Sequence, residues 1–385
     1  MKRTILLKNT YLFTFFLGLH AFLFLYINSS ILEQFVSQKQ VGVLFAISSL
    51  FTIPILIFLP HILKKFGDVR LTLATLILEG TALFYLVSST NIYVVIMAFF
   101  AHTVLLRILL LDTDVLLESA SRDAATGKTR GIFLTILNSS LVLSPLLVGI
   151  LLQQGNTYMR VFVAALCALV PAFLILAFSF KHFSDPRYTR IALVPTIKKM
   201  WNTQALRIIF MLDMVLRTFY ATMVIYMGMY LHTTLSLPWS SIGIIFTVML
   251  LPFALLEFPL GYLADTRFGE KEMLIAGLMI TGITTVLLPW ITSTSVIVWS
   301  IALLITRIGA STIEIMTETY FFKHVQGKDL EMMSLYRIVE PCAYVVAPIG
   351  ASILLFFIDT QYLFLVLGAI VLCGLVPAYA LHDTK

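Results

Sequence analysis

The sequence predicts an all-α polytopic membrane protein of twelve transmembrane helices, and three features carry that prediction. Hydrophobic residues make up 59% of the 385-residue chain and charged residues 12%, with a mean hydropathy of +0.97. A soluble domain holds about 25% charged residues. Apolar runs of the length a bilayer core requires, ~20 residues, follow one another with only short polar breaks. The basic residues collect in alternate breaks, as they do where Lys and Arg are retained on the cytoplasmic side. No stretch remains to build a soluble catalytic core.

In chain order, the first run spans residues 10–30. It is too long for the apolar region of a signal peptide and lacks a small-residue cleavage site. Runs at 41–61, 70–88, 92–117, 131–153 and 159–180 complete a first set of six. A long basic break over 181–206 follows, and then runs at 208–231, 240–262, 273–292, 296–321, 332–357 and 361–381. With both termini cytoplasmic, the inner breaks hold Lys64, Lys65, Arg70, Arg122, Lys128, Arg130, the cluster from Lys181 to Arg207, Arg267, Lys271, Lys323 and Lys328. The outer breaks hold Lys39 and Arg160. An odd number of spans would destroy this asymmetry. The expected organisation is an N-terminal six-helix bundle (1–180), a cytoplasmic linker loop (181–206) and a C-terminal six-helix bundle (207–385).

The net charge of +6 is scattered among these breaks and forms no basic patch, so a nucleic-acid partner is not expected. Cys167, Cys342 and Cys373 lie inside apolar runs without metal-ligand spacing and read as packing residues. Neither a metal nor a cofactor is expected. The sequence lacks HExxH, GxSxG and a phosphate-binding glycine-rich loop, and its one Asp-x-Asp pair is Asp112–Asp114. No catalytic residue and no enzyme activity are therefore expected.

The two halves repeat. With a shift of 200 residues, LLRILLLDTDVLLE (105–118) lies over ITRIGASTIEIMTE (305–318). Arg107 then matches Arg307, Asp114 matches Glu314, and Glu118 matches Glu318. Ala21 and Tyr26 match Ala221 and Tyr226. Two related six-span units are a transporter signature, because alternating access rocks one against the other.

The break after the eighth run reads GYLADTRFGEKEML (261–274). It resembles the Gly-x-x-x-Asp-x-x-Gly-Arg-Lys motif of the major facilitator superfamily. Gly261, Asp265 and Gly269 take the Gly, Asp and second Gly, Lys271 a basic position, and Glu270 departs from the usual base. In the first half, LPHILKKFGDVR retains Lys65, Gly67 and Arg70, while Leu59 and Leu63 replace the Gly and Asp. In the fifth run, Ser140-x-x-x-Ser144-Pro145-x-x-Val148-Gly149 is similar to the Gly-rich motif of the drug/proton antiporter branch, with serines at two of the glycines. The resemblance implies two six-helix bundles with pseudo-two-fold symmetry, and a cavity lined by spans one, four, seven and ten. It also implies gating by Gly261, Asp265, Arg267, Gly269 and Lys271. Glu118 and Glu318 would sit at the cytoplasmic mouth, with Lys65 and Arg267 as partners. Span three would be peripheral, which makes Glu79 a packing residue, and Glu257 would join the gate.

Ionisable residues in a bilayer are costly and face a cavity or a partner. At 100° per residue, Arg107, Asp114 and Glu118 share one helical stripe, repeated by Arg307, Glu314 and Glu318, while Asp112 points away. Asp213 and Arg217 stand at i,i+4, close enough to pair. Arg337 and Glu340 in span eleven and His20 in span one complete the candidate substrate or proton sites, each of which could equally be a satisfied internal contact. The expectation is a monomeric secondary transporter in a bacterial cytoplasmic membrane, moving a small molecule with protons as the coupling ion. Efflux of amphipathic compounds leads. Uptake of an organic, possibly anionic, solute and lipid flipping are the alternatives.

Overall fold

The computed structural model describes residues 3–120, 126–153, 157–180, 193–256, 259–260, 263–264, 268–325 and 330–381, and every regular element among them is helical. Helices α1 (Arg3–Leu25) and α2 (Asn28–Glu33) form the first span, interrupted at Tyr26–Ile27. The next five spans are α3 (Gln38–Phe66), α4 (Asp68–Ser88), α5 (Ile92–Ala120), α6 (Thr126–Leu152) and α7 (Met159–Ser179). Helix α8 (Leu193–Asn202) precedes α9 (Gln204–Thr222), which runs on through π-helical turns at Met223–Met227 and Tyr230–Thr234. Then come α10 (Trp239–Leu255), α11 (Glu270–Leu287), α12 (Val296–His324), α13 (Leu330–Leu354), α14 (Thr360–Cys373) and α15 (Leu375–Tyr379). Among the described residues, 11 helices are long and apolar enough to cross a membrane, and Trp239–Leu255 is a shorter apolar helix. Each predicted run falls on one of these spans.

The break at 181–206 is not a loop throughout, because Leu193–Asn202 folds as α8. Its Val194, Ile197 and Trp201 form an exposed apolar face at helical spacing. The adjacent Pro195, Lys198 and Lys199 mask that period in the sequence.

The chain divides into two compact units, Met1–Val36 with Ile47–Arg190, and Ser37–Ala46 with Ile191–Lys385. In the first, Phe13 and Leu17 of α1, Leu76 of α4, Leu109 and Leu116 of α5 and Leu169 of α7 make the buried core. Helix α6 lies close on α1, since a Cβ added at Gly18 would come within 2.4 Å of Ser140 Oγ. The Ser140 and Ser144 hydroxyls donate to carbonyls of their own helix, Leu137 O and Ser140 O, both at 2.7 Å. The small residues of the fifth run therefore serve helix packing.

In the second unit α11 is held between α12 and α14. A Cβ at Gly368 would meet Val286 N at 2.6 Å and Gly282 O at 2.7 Å, so only glycine allows this backbone approach. The first turns of α3 pack in this unit as well: Thr360 donates to Gln38 Oε1 at 2.7 Å, and Ser352 donates to Lys39 O at 2.8 Å.

Two structural echoes mark the internal repeat. Both first spans of the halves depart from regular α-helix near the matched tyrosines, at Tyr26–Ile27 and at Met223–Met227. Gly67 and Gly269, at the starts of α4 and α11, have φ of 79° and 84° with ψ of 149° and 160°. That backbone region is open essentially to glycine alone, which explains the glycine in both copies of the loop motif.

Candidate functional site

Charge gathers in the second unit between α9 and α12. Helix geometry puts Asp213 and Arg217 one turn apart, and Arg217 Nε meets Asp213 Oδ1 at 3.2 Å. The same guanidinium reaches across to α12, with Nη1 at 2.9 Å from Glu314 Oε1 and Nη2 at 4.0 Å from Glu318 Oε1. Tyr220 donates its hydroxyl to Glu314 Oε2 at 3.0 Å. Arg217 is thus paired closely with two acids and approached by a third. Glu340, half-buried on α13, lies within electrostatic reach of Asp213 and Arg217.

Arg307 stands two turns before Glu314 and is in a different condition. It is 2% exposed, and its guanidinium lies 5.3 Å from the Phe219 ring centre and 5.0 Å from that of Tyr220. Its Nε and Nη2 are buried without a hydrogen-bond partner among the described residues. Nε–H and Nη2–H are the two parallel donors along one edge of the guanidinium, the fork that grips both oxygens of a carboxylate or phosphate. The aromatic faces offset part of the charge, and they leave that edge unsatisfied.

A second polar cluster fills the core of the first unit. Glu79 of α4 is fully buried, with His20 of α1 and His102 of α5 each 1% exposed. His102 Nδ1 stands 2.6 Å and His20 Nε2 3.3 Å from the same oxygen, Glu79 Oε1. His20 Nδ1 faces Ala165 O of α7 at 3.0 Å, and His102 Nε2 faces Asn28 Nδ2 at 3.2 Å. Glu79, read from sequence as a packing residue of a peripheral span, instead joins α4 to α1 and α5 through His20 and His102. The rule that a buried intramembrane acid needs a partner was the signal for it. The break after α1, which delivers Asn28, left no sequence mark.

The other predicted residues scatter. Asp112 is fully buried and faces its own unit, accepting from Thr72 Oγ1 of α4 at 3.0 Å. Arg107 is half-buried on α5, and Arg337 is exposed on α13. The side chains of Asp114 and Glu118, and Glu257, Gly261, Asp265 and Arg267 entirely, lie outside the described residues. The expected pairing of Glu318 with Arg267 falls on a residue outside those described; among the described residues Glu318 Oε1 approaches Arg217 Nη2 at 4.0 Å. Lys65 is exposed and stands over the Phe66 ring at 5.3 Å. Of the loop motif, Gly269 supplies the turn, Lys271 is half-buried, and the divergent Glu270, 1% exposed, forms an ion pair with Lys323 at the end of α12.

Residues 208–385 match the family model described as Major Facilitator Superfamily. No curated protein is matched by the sequence. Among solved structures, one described as a bacterial homologue of the iron transporter ferroportin, in an inward-facing state, superposes with a TM-score of 0.76. The alignment covers 99% of this chain and 99% of that one at 16% identity. At that identity the likeness carries the fold and not the cargo. The chain therefore has the major facilitator transporter fold over its whole length, and its second half matches the sequence model of that superfamily.

Proposed function

We propose that this protein is a major facilitator secondary transporter that moves a small organic solute bearing an anionic group, bound at Arg307 and coupled to protons. Such a fold works by alternating access. One observation carries the substrate class: a buried guanidinium whose carboxylate-gripping edge has no acceptor. An unsatisfied buried charge of this kind costs free energy that an arriving anion returns. Phe219 and Tyr220 beside it suit an apolar or aromatic body attached to that anion. This favours an organic anion over the neutral amphipathic compounds that the antiporter-like motif suggested, since that motif's serines are used in packing α6 on α1.

The neighbouring Asp213–Arg217–Glu314 group supports coupling. Its acids share one guanidinium, so a substrate anion competing for positive charge changes how firmly they hold their protons. Insertion in a bacterial cytoplasmic membrane, with both termini inside and as a monomer, completes the reading.

Thermal unfolding of the purified protein against carboxylates, phosphates, neutral and cationic solutes tests the substrate class. A ligand at about a hundredfold excess over its Kd adds about 2.7 kcal/mol of stability. Members of the anionic set should raise the unfolding temperature of the wild type and leave Arg307→Met unmoved. Stabilisation confined to cations or neutral solutes would overturn the assignment.

A further inference from the structure

Counting protons in the first unit's buried cluster leads to a site that the transport reading does not use. His20 Nδ1 faces the carbonyl of Ala165 at 3.0 Å. A carbonyl only accepts, so Nδ1 carries a hydrogen. His102 Nε2 faces the Asn28 amide nitrogen at 3.2 Å, which donates, so the His102 hydrogen sits on Nδ1 and points at Glu79 Oε1, 2.6 Å away. That leaves His20 Nε2 and Glu79 Oε1, two acceptors, 3.3 Å apart. A hydrogen must lie between them. The Asn28 amide orientation is an assignment, and reversing it does not remove the requirement. Asn28 Oδ1 would then demand the His102 hydrogen on Nε2, and two acceptor nitrogens would face the carboxyl.

We infer that the His20–Glu79–His102 cluster is a proton-binding site, holding one exchangeable proton between Glu79 Oε1 and His20 Nε2. Charge supports the count. An ionised Glu79 with two neutral histidines would bury a net negative charge in a core where none of the three side chains exceeds 1% exposure, whereas one added proton makes the cluster neutral. Glu79 Oε2 is also buried without a hydrogen-bond partner, as expected of a carboxyl that need not carry full charge. The groups in contact with Glu79 are His20 from α1 and His102 from α5, and these are in turn met by the Ala165 carbonyl from α7 and the Asn28 amide from α2. From Ile132 to Leu152, α6 has no ionisable residue, and α7 adds only the exposed Arg160 and Cys167.

Release gives the proton to water, turns the cluster from neutral to singly negative and breaks the His20–Glu79 hydrogen bond that ties α1 to α4. Loading restores both. If the protein is the proton-coupled carrier proposed above, this is a coupling site in the first unit, separate from the acids around Arg217.

The direct test needs no variant. Infrared titration of the protein in nanodiscs, with nitrogen-labelled histidine followed by magnetic resonance, should show a protonated carboxyl or one doubly protonated imidazole. That signature should disappear as a single proton is lost and be absent from Glu79→Gln. An ionised carboxylate with two singly protonated rings throughout the folded pH range would overturn the inference. So would histidine signals that shift with added zinc and recover with a chelator, because the gap would then be a metal site. In proteoliposomes, Glu79→Gln and His20→Asn should each cut pH-driven accumulation at least tenfold while exchange without a gradient persists. Equal loss of both would show a structural role only. A wild type that moves no solute would end the transport reading and leave the titration to decide the proton.

Discussion

Arg307→Met should abolish transport and at the same time stabilise the ligand-free protein. Burying a charged donor pair without an acceptor costs about 1–3 kcal/mol or more, and Met replaces the guanidinium with an apolar chain that packs against Phe219 and Tyr220. The unfolding temperature should therefore rise, while substrate flux falls to background. A guanidinium held for architecture would show the reverse, because its removal would lower stability. Arg307→Lys separates charge from geometry. Lys keeps the charge and loses the parallel fork, so affinity should drop by about tenfold to a hundredfold, the worth of one charge-assisted hydrogen bond of about 1.5–3 kcal/mol. Full activity in the Lys variant would mean that the anion is not gripped edge-on.

Arg217 should behave oppositely. Arg217→Gln strands Asp213, 1% exposed, together with Glu314 and Glu318. Breaking one side of a buried ion pair costs about 3–5 kcal/mol, so the variant should unfold at a markedly lower temperature or accumulate poorly. Adding Asp213→Asn removes the most deeply buried of the stranded charges and should restore part of that loss, since a buried pair replaced whole is close to neutral. The double variant should remain unable to accumulate substrate against a gradient. Calorimetry and flux on the same preparations check both parts, and additive effects of the two substitutions would contradict a direct pair.

The contrast between these arginines shows what the sequence could reveal. The twelve spans were legible because the bilayer imposes length, apolarity and loop charge on every one of them. Asp213–Arg217 was legible because i,i+4 spacing fixes proximity within one helix, and the Arg307–Glu314–Glu318 stripe because it follows from 100° per residue. Contacts between helices obey no such spacing. Glu79 lay in a span ranked peripheral, and only the packing of α1, α4 and α5 brings His20 and His102 onto its one oxygen. Asp112 accepts from Thr72 of α4, a partner 40 positions away that no spacing rule points to. Glu270 read as a lost base in the loop motif, yet the acid is kept for Lys323, 53 positions further on.

Flux into proteoliposomes carrying the wild-type protein, with an imposed pH gradient and a panel of organic anions, neutral solutes and cations, decides the substrate class and the coupling together. Some anions should cross, their accumulation should follow the proton gradient, and Arg307→Met should remove both. Transport confined to neutral or cationic solutes, or anion flux untouched by Arg307→Met, would contradict an anion site at Arg307.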